Sequence, residues 1–189
     1  MKALAAVCVF LLTLLCLAQQ SDPATGAYLP AQAAADVIKE AAGADGAFLT
    51  AGDINPTYDS KDLASLINFP AETIDIVGLT GAEIKQAFER SVSLIPQSNN
   101  SFLQISGFTV EFKTSAKAGS RVTSIQAGSE PIQPTRTYKI AMSSGLAGGA
   151  MGYFKIWDKS KIAKTLDTTL EQALRGKAYA ETSPRWLAR

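Results

Sequence analysis

Glycines and aromatic rings, rather than acids and bases, are the residues of this sequence that could do chemistry. The densest group is Gly145-Leu146-Ala147-Gly148-Gly149-Ala150-Met151-Gly152-Tyr153-Phe154. Glycines such as Gly149 and Gly152 let backbone approach a ligand closely, and the two rings at the end offer flat apolar faces. The same string also suits a plain strand-to-helix connection with Tyr153 and Phe154 packed as core. A second group is Leu66-Ile67-Asn68-Phe69-Pro70, where Phe69 falls between two elements. A planar base stacked on such a ring gains about 1–3 kcal/mol, although Phe69 taken alone reads better as a core residue. A third is Thr50-Ala51-Gly52-Asp53-Ile54-Asn55, a strand end and a turn. Gly52 and Asn55 are candidates there because such positions often hold ligands, while Asp53 and Asn55 are also ordinary turn residues. Asn99-Asn100-Ser101 is a glycosylation sequon.

What is missing narrows the chemistry further. The chain contains no His, which removes the commonest general base, the Ser-His and Cys-His nucleophile pairs and the commonest zinc ligand. The two cysteines, Cys8 and Cys16, both lie in the N-terminal apolar stretch. A chain starting after Ala18 has no thiol for a disulfide or a metal. A metal site of Asp, Glu, Asn and carbonyls is left open, but no calcium-loop spacing occurs. We therefore assign no catalytic residue and no metal ligand, and expect no cofactor. With 18 Lys and Arg against 17 Asp and Glu, the net charge is +1 and no basic face stands out, so nucleic acid is not an expected partner.

Residues 1–18 read as an address. One positive charge precedes an apolar run with Thr13 as its only polar residue, and Cys16-Leu17-Ala18 gives way to the polar Gln19-Gln20-Ser21. This is the pattern of a secretory signal peptide, and the run is shorter than the roughly 20 residues that span a bilayer. Stable membrane insertion is not expected. A lipoprotein signal ending at Cys16 would place a large Leu15 where that processing favours a small residue. The expected location is secreted or periplasmic, with 19–28 as a linker, 29–176 as one domain and 177–189 as a tail.

The elements that would position the candidate residues follow from periodicity. Pro30 suits the first turn of an Ala-rich helix that Gly43 ends. Residues 47–51 form a short apolar run that reads as a buried strand, and Ser60 caps a short helix over 61–67. Residues 73–77 alternate as a strand. Thr80-Gly81-Ala82-Glu83 is a capping box that opens a helix carrying Ile84, Ala87, Phe88, Ser91, Val92 and Ile95 at helical spacing, closed by Pro96. Between 102 and 143 the period changes to two, giving strands near 102–105, 108–112, 122–126 and 138–142. A final helix is expected over 166–174. Apolar residues make up 47% of the chain and charged residues 19%, enough apolar area for a real core. The predicted class is α+β, a mixed β-sheet packed with helices.

These pieces, in this order, resemble the C-terminal, substrate-binding domain of the 5'-nucleotidase family, over about 29–175. The resemblance rests on 50–55, on 62–69, and on 74–93 with its Leu79-Thr80-Gly81 helix start. It continues through Phe102-Leu103-Gln104-Ile105-Ser106-Gly107, Gly119-Ser120-Arg121-Val122, Tyr138-Lys139-Ile140 and the glycine loop ending in Tyr153.

The resemblance implies that two aromatics, Phe69 and Tyr153, sandwich a nucleobase, with Gly52, Asn55, Gly149 and Gly152 lining the site. It also marks departures. Where the family's first loop reads Asn-x-Gly-Gly-Ile-Arg, this chain has Thr50, Asp53 and Asn55 in place of the Asn, a Gly and the Arg. The guanidinium fork for phosphate is lost and a carboxylate is added. Where the glycine loop carries Gly-Gly-Asp-Gly-Tyr, Met151 replaces the Asp. The family's metallophosphoesterase domain, with two metals held by His and Asp, has no counterpart in a chain without His. The expectation is a binding domain for a nucleoside or nucleotide that does not hydrolyse by itself. The alternatives are the substrate-binding subunit of a split nucleotidase, completed by a separate metallophosphoesterase chain, and a structural or interaction domain with a decayed site.

Overall fold

Strands covered on both faces read as continuous apolar runs, and this chain builds its centre from such strands. The computed structural model describes residues 22–189; the expected signal segment, and with it Cys8 and Cys16, lies outside the described residues. The first sheet contains β1 (Gly46–Thr50), β2 (Thr73–Thr80), β3 (Leu103–Ser106), β7 (Thr137–Ser143) and β8 (Ile162–Thr169), in the order β3-β1-β7-β2-β8. Strands β1 and β7 are parallel and the other neighbours antiparallel, so the sheet is mixed, as expected of an α+β protein. Every residue of β1 is buried. Ala47 and Leu49 pack under α1 (Leu29–Ala42) and α4 (Leu170–Leu174), while Phe48 points to the opposite side.

On that opposite side lies the second sheet, β6-β5-β4-β9, built from β4 (Phe108–Phe112), β5 (Val122–Ala127), β6 (Glu130–Pro131) and β9 (Trp186–Ala188). The chain crosses between sheets at Gly107, whose φ is +84°. A side chain there would meet the Asp45 carbonyl at 2.2 Å, so only glycine fits. Helix α2 (Gly81–Ser91) covers the junction and inserts Phe88 among Phe48, Phe108 and Trp186, with ring centroids 5.3–5.8 Å apart and steep interplanar angles. Its expected capping box is present: Thr80 N–H and Oγ both contact the Glu83 carboxylate, and Glu83 N–H donates to Thr80 Oγ.

Three expectations are corrected. The helix expected over 61–67 is a 3-10 turn, Leu63–Leu66, and its cap is Asp62, which accepts from Ala64 N–H, not Ser60. The helix expected over 166–174 is divided: 162–169 is β8, pairing with β2, and only Leu170–Leu174 is helical, opened by a Thr169–Gln172 capping box. The segment expected as a tail supplies β9, parallel to β4, and buries Trp186, whose indole N–H donates to Leu103 O at 2.8 Å. Arg185 reaches Asp36 and the carbonyls of Gln32 and Ile105 just before it. The linker is docked as well, because the Gln104 side chain holds Pro23 O, Gly26 O and Tyr28 N–H.

Trp186→Ala is expected to cost about 3–5 kcal/mol, the range for emptying an aromatic core position. Urea denaturation checks it; a loss under about 1 kcal/mol would mean that the C-terminal strand contributes little to the core.

Candidate functional site

The turn after β1 and the glycine loop after β7 touch beside the first sheet, and the Phe69 segment is tied to that turn. Strand β1 ends at Thr50 and the chain enters a 3-10 turn, Ala51–Asp53. Asp53 closes that turn: its carboxylate accepts from Thr50 N–H at 2.9 Å and Thr50 Oγ at 2.8 Å. Burial raises the Asp53 carboxyl above its ordinary range, the Thr50 hydrogen bonds hold the rise back, and Glu72 adds to it. Asn68 ties the next segment to the turn, donating Nδ2–H to Gly52 O at 3.0 Å and its backbone N–H to Asp53 O at 2.8 Å. Phe69 follows and leaves 55% of its surface exposed.

The glycine loop approaches from the other side. It begins as α3 (Ser144–Ala147), which Ser143 caps. It then passes through Gly149 at φ +88°, Met151 at φ +55° and Gly152 at φ +80° before a 3-10 stretch through Tyr153 and Phe154. A methyl group at Gly52 would lie 2.8 Å from Met151 Cε, so the two loops touch there. Arg90, at the end of α2, pins the loop by donating to Met151 O, and the Gly152 backbone runs against its guanidinium. Gly149 N–H donates to Leu146 O, and its own carbonyl accepts from Phe154 N–H.

Two expected site residues are placed otherwise. Tyr153 is wholly buried. Its ring stacks on Trp157 with centroids 4.6 Å apart and planes 16° apart, Arg90 lies over it at 5.2 Å, and its hydroxyl donates to Ser101 O at 2.6 Å. Burial pushes the phenol far above its ordinary range, so it stays protonated and keeps donating. No face of this ring is open to a base, which corrects the Phe69–Tyr153 sandwich; Phe154, with 63% of its surface exposed, is the outward ring of the loop. Asn55 is engaged by its own loop: Nδ2–H donates to Ser65 O, and Oδ1 accepts from Thr57 N–H. The sequon is closed too, since Asn99 is buried and its Nδ2–H donates to Ser91 O.

Residues not singled out in the sequence complete the picture. Glu72 accepts from Gly145 N–H at 2.7 Å and from Ser144 Oγ at 3.4 Å, joining the Phe69 segment to α3. Trp157 lies four residues after Tyr153, a helical spacing that offered a hint of the pair. Among the described residues no group of three or more acidic, His or Cys side chains is arranged to hold a metal, and no helix is long and apolar enough to cross a membrane.

A family model described as "5'-nucleotidase, C-terminal domain" matches residues 20–158. The chain belongs to that family. A snake venom 5'-nucleotidase of Gloydius brevicauda is 36% identical over 107 residues, 52% of this chain and 18% of that protein. A human 5'-nucleotidase is 33% identical over 113 residues, 56% of this chain and 20% of that protein. The chain thus aligns with about a fifth of the length of these relatives. Among solved structures, a 5'-nucleotidase precursor from Thermus thermophilus superposes with a TM-score of 0.74 at 22% identity, covering 88% of this chain and 36% of that one. An NAD nucleotidase of Haemophilus influenzae superposes at 0.67 and 19% identity, covering 86% and 33%. At those identities the likeness shows the fold alone.

Left-handed backbone is costly for a side chain such as Met151, at roughly 1 kcal/mol, and tolerated by Asn. Met151→Asn is therefore expected to stabilise the domain by about 0.5–1 kcal/mol in urea titrations. A net loss would mean that the Met151 contact with Gly52 outweighs the strain. The raised Asp53 carboxyl predicts a pH signature. A group with a raised folded pKa contributes stability below its unfolded value and loses it as pH rises through the folded one. The stability of the native chain relative to Asp53→Asn should fall as pH rises from about 3 to about 7; a rise over that window would mean that the Thr50 hydrogen bonds outweigh burial.

Proposed function

We propose that this chain is an exported ligand-binding domain that holds a nucleoside, or a nucleotide chiefly through its base, on the surface formed by Phe69 and Met151. The observation that carries the reading is where exposed apolar area lies. Of the four large apolar side chains left exposed among the described residues, Phe69, Met151 and Phe154 belong to the loops singled out as ligand-bearing, and Leu94 is the fourth. Burying exposed apolar area against a flat ligand is favourable, and a thioether beside a ring adds an adaptable contact.

Gly52 and Asn68 tie the Phe69 segment to Met151. The reading takes a base resting on Phe69 from the family to which the chain belongs and replaces the second ring by Met151, because Tyr153 is committed to the core. Phosphate contributes little in this reading: the family Arg is Asn55, and its amide serves its own loop. Export rests on the apolar segment at 1–18. Hydrolysis belongs to a metal-bearing domain or a separate metallophosphoesterase chain, since no His is present to join such a site. That second reading, a substrate-binding part of a larger hydrolase, is favoured by the fact that the chain aligns with only a fifth of its relatives.

Calorimetry of the chain against nucleosides and their 5'-monophosphates tests the reading. Binding is expected for at least one nucleoside, with the monophosphate no more than a few-fold tighter, and Phe69→Ala is expected to weaken it about 5- to 100-fold, the equivalent of 1–3 kcal/mol of stacking. Absence of heat with every member, or equal affinity in Phe69→Ala, would contradict it.

A further inference from the structure

Beside the glycine loop, and independent of the nucleoside reading, the first sheet carries a cleft of about 760 Å³, the size of a small-molecule site. Asp75 of β2 lines it. The alternation along β2 puts Asp75 on the same face as Val77 and Leu79, the side on which the glycine loop packs. Only 4% of Asp75 is exposed, and no protein donor reaches its Oδ1. A buried carboxylate without a partner is expensive, because desolvation is not repaid by a hydrogen bond or an opposite charge.

The rest of the wall defines what would repay it. Glu72 lines the same cleft, and a methyl at Gly145 would lie 3.0–3.1 Å from its oxygens, so the bare glycine lets that carboxylate approach closely. Ser144 and Thr165 add hydroxyls, and Phe154 presents its exposed ring. The only cation of the lining is Lys159, which forms no ion pair among the described residues. Two carboxylates against one ammonium disfavour an anion. Two carboxylates without a third acidic or His group also fall short of a divalent-metal cage, and the described residues hold no such group.

We propose that this cleft is a second ligand site that takes a small organic cation, a protonated amine or guanidinium carried on a flat apolar body. Asp75 is its counter-ion, Glu72 a second acceptor, and Phe154 the face on which the body and its charge rest. Each part answers a feature of the wall: the donor meets the carboxylate of Asp75, a cleft-lining residue whose Oδ1 no protein donor reaches, and the body covers an exposed aromatic ring.

Benzylammonium is a minimal probe, with benzyl alcohol and benzoate as its neutral and anionic counterparts. Calorimetry of the full chain at neutral pH is expected to show saturable binding of benzylammonium, at least about tenfold weaker binding of benzyl alcohol and none of benzoate. Asp75→Asn keeps the shape and removes the charge, so it is expected to weaken benzylammonium about tenfold or more while its thermal midpoint without ligand holds or rises. Phe154→Ala alters only an exposed ring and is expected to weaken binding several-fold, which keeps the test valid should Asp75→Asn not fold. Phe69→Ala is expected to leave benzylammonium unchanged, so failure of the nucleoside reading and failure of this one are distinguishable. Equal affinity for benzyl alcohol, undiminished affinity in both Asp75→Asn and Phe154→Ala, or no saturation by about 10 mM would overturn the proposal.

Discussion

The anchoring of Tyr153 sets the shape of everything that faces solvent at this end of the domain. Its ring lies flat on Trp157, its hydroxyl donates to Ser101 O, and Arg90 covers it while holding Met151 O. With Tyr153 drawn inward, the next residue, Phe154, is turned outward, and the backbone before it must pass through left-handed geometry at 151 and 152. Glycine adopts that geometry freely and Met151 does not, so the loop holds strain that the anchor must offset. Two neighbouring rings thus have opposite fates: one is core, the other is surface.

That anchor depends on the layers beneath it. Strands β1, β7 and β2 are closed in by helices on one face and by α2 and the second sheet on the other. This burial holds the ends of β1 and β7 in register, and the two candidate loops leave from those ends. The parallel pairing of β1 with β7 carries both C-terminal ends to the same edge of the sheet, the usual place for ligands beside parallel strands. The charge at that edge is also set by the chain's departures from its family. Asn55 stands where the resemblance places an Arg and Asp53 where it places a Gly, and Asp53, Glu72 and Asp75 lie in the same region. Without the Arg, no guanidinium fork is offered to a phosphate at this edge, and carboxylates stand there instead.

Much of the fold was legible in the sequence where one local signal dominated. The Thr80–Glu83 box, the Gly43 stop and the alternating strands between 108 and 142 are each set by neighbours in sequence. What was missed depends on distant contacts. Strand β8 has half-buried and exposed residues without clean alternation, because it is an edge strand with register shifts against β2, and its Leu166, with Leu170 of α4 four residues on, mimics a helical stripe. The C-terminal segment reads as polar, yet one indole finding a slot among Phe88, Phe102 and Phe112 is enough to dock it. The site divides the same way. The glycine loop was singled out from its composition and Phe69 through the family resemblance, but whether Tyr153 or Phe154 faces solvent depends on Arg90, distant in sequence, and on Trp157, to which only its four-residue spacing from Tyr153 hints. Asp75 read only as one position of an alternating strand, and its lack of a partner emerges only when three strands and a loop surround it.

Mapping of tyrosine nitration by tetranitromethane, followed by peptide mass spectrometry, tests the anchor most directly. The half-buried Tyr58 and Tyr179 should be modified in the native chain while Tyr153 stays unmodified until the domain is unfolded. Reaction of Tyr153 at the rate of Tyr58, with protection by an added nucleoside, would contradict the account and restore that ring to the binding surface.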